Sequence, residues 1–96
     1  MMEQPFEIYL TNDPAITSPN AVKSRMSKAR KAEEILKTSL DVVVSDDDRM
    51  YEALEELQQH ENPKSNPMQN VVRKYYKFKN EREFPRKKDY HSAKHP

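Results

Sequence analysis

The sequence predicts an all-α fold: a small bundle of about four helices over residues 1–80, then a flexible basic C-terminal tail over residues 81–96. Three observations lead there. Apolar residues recur at spacings of three and four in four separate segments. Two of those segments open on a capping residue followed by proline, Ser18-Pro19 and Asn66-Pro67, and a third opens on Asp46-Asp47-Asp48. The β-branched run Val42-Val43-Val44 has no second strand to pair with.

The first helix is expected from about Glu3 to Thr11, with Phe6, Tyr9 and Leu10 on one face and Asn12-Asp13-Pro14 ending it. The second starts with Ser18 as cap and Pro19 at the first position, where its missing N–H costs nothing. Val22, Met26, Ala29, Ala32 and Leu36 form its buried stripe to about Lys37, while Lys23, Arg30 and Lys31 lie opposite. Glu33 also projects among the stripe, so its carboxylate needs a cationic partner, with Arg73 or Arg25 the candidates. Residues 40–44 read as a connection that drops apolar side chains onto the core.

The third helix begins near Asp46-Asp47-Asp48, whose carboxylates suit the positive end of a helix dipole. Met50, Ala53, Leu54 and Leu57 are its buried stripe, and Asn62-Pro63 closes it. The fourth helix takes Asn66 as cap and runs to about Asn80. Met68, Val71, Val72, Tyr75 and Phe78 share one face, Asn70, Arg73, Lys74 and Lys77 the other, with Tyr76 on the flank. Without glycine, Asn12, Asn62 and Asn80 are the natural left-handed caps. Phe84 is expected to fold back onto the bundle.

Composition narrows function by exclusion. Cysteine is absent, which removes disulfide scaffolds, thiol catalysis and thiolate zinc sites. Glycine is absent too, which removes phosphate loops and dinucleotide fingerprints. No stretch approaches a membrane span or a signal peptide, so a cytoplasmic chain without membrane contact is expected. His60, His91 and His95 form no helical metal-ligand pair, Asp46-Asp47-Asp48 lacks the spacing of a calcium loop, and no serine has an assignable acid–base partner. Catalytic, cofactor and metal sites are therefore not expected.

The net charge of +1 hides strong segregation. Residues 1–20 carry −3, residues 21–40 carry +4, residues 41–61 carry −7 and residues 62–96 carry +7. Such blocks either pair with each other in the fold or give the surface two electrical poles. Cations spread along one surface are what phosphate contacts require. Lys23, Arg30 and Lys31 on one helix, and Arg73, Lys74 and Lys77 beside Tyr76 on another, supply two such faces, and Arg86, Lys87 and Lys88 extend them into the tail. Tyr76 there either stacks on a base or belongs to the edge of the core.

Three segments, Phe6-Glu7-Ile8-Tyr9-Leu10, Ser18-Pro19-Asn20-Ala21-Val22-Lys23-Ser24-Arg25 and Val72-Arg73-Lys74-Tyr75-Tyr76-Lys77-Phe78, resemble the N-terminal SAM-like core-binding domain of tyrosine recombinases and phage integrases. The resemblance spans about residues 5–80 and implies a four-helix fold, DNA-backbone binding by the second and last helices, and an origin in a phage or mobile element. The family's catalytic domain and its Arg, His-x-x-Arg and Tyr machinery have no counterpart, so strand cleavage is not implied. The leading expectation is a non-enzymatic DNA-binding module. The alternative is a protein-interaction adaptor in which Asp47, Asp48, Glu52, Glu55 and Glu56 of the acidic helix meet a basic partner or the basic face of a second copy.

Overall fold

All four expected helices form, and the second, third and fourth start where the sequence places them. The structure, a computed structural model, describes residues 1–62, 64–86 and 89–90. Its elements are α1 (Glu3–Thr11), α2 (Pro19–Leu36), α3 (Leu40–Val44), α4 (Asp47–Gln58) and α5 (Pro67–Asn80). Among the described residues there is no strand, only an isolated bridge between Asn62 and Ser65. The chain is an all-α bundle in which α5 packs against the other four helices, most extensively against α2.

Side-chain caps explain the starts of α2 and α4. Ser18 Oγ accepts from the Ala21 amide at 3.1 Å, with Pro19 in the first turn of α2. Asp46 Oδ1 accepts from the amides of Asp48 at 2.7 Å and Arg49 at 3.2 Å, and Asp47 and Asp48 fill the first turn of α4. Residues 40–44, expected as an irregular connection, form the short helix α3 instead. The physical reason is again capping: Ser39 Oγ accepts from the Val42 amide at 3.3 Å, and Glu33 Oε2 accepts from the Leu40 amide at 2.8 Å. Leu40, Val43 and Val44 nevertheless reach the core as expected.

Three local expectations are corrected. Asn66 makes no side-chain cap to α5; the Glu61 carboxylate does, accepting from the Met68 amide at 2.7 Å and the Gln69 amide at 3.1 Å. Among the described residues the left-handed ones are Lys37 and Glu81, both at φ 57°, while Asn12 sits at φ −86° and neither Asn62 nor Asn80 has positive φ. Asn80 stays helical because its side-chain amide donates to the Val44 carbonyl at 3.1 Å, which passes the left-handed step to the next residue. The third helix of the sequence reading, here α4, ends at Gln58, ahead of Asn62, and Pro63 lies outside the described residues.

The core joins Phe6 and Leu10 of α1, Val22, Met26, Ala29 and Ala32 of α2, the α3 residues, Met50, Leu54 and Leu57 of α4, and Val71, Val72, Tyr75 and Tyr76 of α5. Phe6 meets the edge of Tyr75 at 4.9 Å between ring centroids and Phe78 at 5.5 Å, an aromatic cluster that ties α1 to α5. The chain after α5 returns to the body: Phe84 is 5% exposed and packs edge-on against Tyr76 at 5.1 Å, and Tyr90 packs against both Phe84 and Tyr51. Residues 81–86 and Tyr90 thus form a strap on the bundle. Lys87, Lys88 and residues 91–96, including His91 and His95, lie outside the described residues.

Candidate nucleic-acid interface

The close pairing of α2 with α5 sets the site. Arg25 and Lys28 of α2 face Asn70, Arg73 and Lys74 of α5 across a groove of about 440 Å³. A second recess of about 340 Å³ shares Arg73 and Lys74 and adds Lys77, Glu83, Phe84 and Arg86. The two adjoin along α5, so cations from α2, α5 and the strap follow one continuous wall. Arg25 and Lys28 are one helical turn apart beside the buried stripe of α2, which turns them toward α5.

The structure sorts the expected cations differently from the sequence. Lys23 borders another recess, with Glu7, Ile16 and Ser18. Arg30 pairs with Glu3 at 2.7 Å on the α1 side. Lys31 is exposed and lines neither basic recess. These three are not brought to the α5 wall; Arg25 and Lys28 are.

On α5 the cations have internal roles as well. Arg73 is half-buried, donates to the carbonyls of Phe84 at 3.0 Å and Pro85 at 3.2 Å, and lies over the Phe84 ring. Burial lowers its pKa from the usual arginine value, and its Nη1 group holds the strap. Lys74 binds the Asp13 carboxylate, and Lys77 reaches Glu83 at 3.5 Å. Lys28 and Arg86 have no ion pair among the described residues, and Arg25 donates to the Ala21 carbonyl at 3.4 Å.

Tyr76 is core, with no exposed surface: its hydroxyl donates to Asp47 Oδ1 at 2.7 Å, and Arg82 covers its ring. Burial, then the Asp47 carboxylate, pushes its pKa up to about 12. Tyr75 donates to Asp41 and accepts from the Met2 amide at 2.9 Å. Glu33 is paired as expected for a carboxylate on that stripe, but with the Met1 amino group at 3.0 Å and the Leu40 amide rather than with Arg73 or Arg25. The Met1 amino group also meets Asp41 at 3.1 Å, Lys79 lies 3.6 Å from Asp41, and Arg82 lies 3.3 Å from Asp47. Part of the acidic block is therefore neutralised inside the fold, while Glu52 and Glu56 remain on the exposed side of α4.

Among the described residues no cluster of His, Cys, Asp and Glu could hold a metal ion, and no helix is long and apolar enough to cross a membrane. Comparison of the chain with protein-family models, with curated proteins and with solved structures finds no match. The fold and the groove define the class: a small helical bundle with a basic groove between two of its helices.

Proposed function

We propose that this chain is a non-enzymatic DNA-binding module that grips the phosphate backbone along the α2–α5 groove. Arg25, Lys28, Lys77 and Arg86 make the contacts, Asn70 adds a hydrogen bond, and Arg73 keeps the strap in place so that Arg86 borders the wall. The observation that carries the reading is the convergence of cations from three separate segments on one side of the bundle. The resemblance of the second and last helices to the core-binding domain of tyrosine recombinases points the same way, and with it an origin in a phage or mobile element. Lys87 and Lys88 follow Arg86 in the sequence.

Fluorescence anisotropy with a duplex of random sequence tests the proposal. Four phosphate contacts give a slope of log K against log salt of about −3.6, a loss of roughly 150-fold between about 50 and 200 mM salt. Absence of binding at about 50 mM refutes it. A second reading has its own observation. Glu52 and Glu56 line a shallow recess of about 180 Å³ together with Arg49, the buried Val43 and Ala53, and Val42, which is 40% exposed; its two carboxylates against one cation suit a basic protein segment. Failure to bind duplex would favour that adaptor role.

A further inference from the structure

The loop between α1 and α2 places a carboxylate against the basic wall. Asp13 Oδ1 accepts from the Ala15 amide at 2.9 Å, its carbonyl accepts from Ile16 N–H at 3.0 Å, and the Ile16 side chain is buried, so the loop is held in one shape. The other carboxylate oxygen, Oδ2, binds the Lys74 ammonium, and the positive charge of Arg25 adds to the attraction. The Asp13 side chain is 16% exposed, so this pair is far more sheltered than Lys77–Glu83, whose carboxylate is 79% exposed. An anion lying in the groove beside Lys74 competes with Asp13 for the same ammonium.

We propose that Asp13 is a built-in competitor for phosphate: its carboxylate holds Lys74 at the groove, and nucleic-acid phosphate must displace or share it, so one loop carboxylate sets how tightly the groove holds its ligand. The inference rests on the groove reading above and adds a control element to it. Lys74 is then a reserve contact, available in proportion to how far Asp13 yields. Asparagine at position 13 can still accept from the Ala15 amide, so Asp13→Asn removes the charge and keeps the loop.

The test is a four-protein cycle of wild type, Asp13→Asn, Lys74→Ala and the double variant. Each is checked for helical content and thermal unfolding, then titrated with the same random duplex across salt. Asp13→Asn is expected to bind about three- to tenfold tighter at low salt, with a slope steeper by about 0.9, the signature of one added phosphate contact. Lys74→Ala is expected to weaken the Asp13→Asn protein at least about threefold more than it weakens wild type, since that contact is the one released. Equal Kd and slope for folded Asp13→Asn and wild type, or equal losses on Lys74→Ala in both backgrounds, would overturn the competitor role while leaving the groove standing. If Asp13→Asn fails to fold, Asp13→Ser, which keeps a shorter acceptor for the Ala15 amide, replaces it with the same expectation. No binding by any of the four overturns the groove itself and the competitor with it.

Discussion

Replacing Glu61 by alanine should destabilise the bundle, and replacing Asn66 should not. Two amides at the start of α5, Met68 and Gln69, have the Glu61 carboxylate as acceptor, at 2.7 and 3.1 Å, while Asn66 contributes no side-chain cap. Loss of a capping acceptor costs about 0.5–2 kcal/mol, and charge-assisted bonds lie toward the upper end of such ranges. Because Met68 and Gln69 are both buried, their amides have little water to turn to, which places Glu61→Ala at about 1.5–2 kcal/mol. For a chain of this size that is a fall in Tm of about 6–16 °C. Urea unfolding followed by helical circular dichroism reads it directly, as a lower midpoint at unchanged m. Asn66→Ala should stay within about 0.5 kcal/mol. The reverse order, with Asn66→Ala costly and Glu61→Ala silent, would refute the assignment of this cap.

Other consequences follow from the strap and from the buried carboxylates. Phe84→Ala removes the ring that Tyr76 and Arg73 enclose and should cost about 3 kcal/mol, together with faster proteolysis after residue 80, measured by urea unfolding and limited digestion. Lys74 and the Ala15 amide hold the Asp13 carboxyl below its ordinary value; against the desolvation of burial, the Tyr75 hydroxyl and the Met1 amino group do the same for Asp41. Carboxyls lowered in the folded state add stability above the unfolded pKa of about 4 and lose it as pH falls through the folded values. Tm should therefore drop below about pH 4, with a smaller drop in Asp41→Asn. Tyr76, raised to about 12 by burial and Asp47, works in the opposite sense: its contribution is full below about pH 10 and is lost as pH rises through about 12. An ultraviolet phenolate titration should show tyrosine still largely neutral at pH 11, ionising at about pH 12 rather than 10.

The fold was legible because its punctuation is local. Ser18-Pro19, Asp46 and the apolar spacing in four segments each act within one or two turns, and the structure uses them as written. What escaped the sequence depends on distant partners. Glu61 displaces Asn66 as a cap because the loop ahead of α5 brings a stronger acceptor to the same amides. Tyr76 reads as a flank residue until α4 and Phe84 close over it, and Asp47 satisfies its hydroxyl.

The site was legible only in part for the same reason. The outward face of α2, with Lys23, Arg30 and Lys31, is the most exposed to solvent but not the one beside α5. Arg25 and Lys28 border the buried stripe, and only the α2–α5 pairing reveals that they share a wall with Lys74 and Lys77. Arg73 looked like a free phosphate contact because the carbonyls it binds lie 11 and 12 residues away, in a segment without helical period.

Salt slopes separate phosphate binding at the α2–α5 wall from binding at the outward face of α2. Duplex binding by the double variant Arg25→Ala/Lys28→Ala should be weaker, with a slope shallower by about 1.8, while Lys23→Ala keeps a slope near that of wild type. A shallower slope for Lys23→Ala, with the Arg25/Lys28 variant indistinguishable from wild type, would put the phosphates on the outward face of α2 instead.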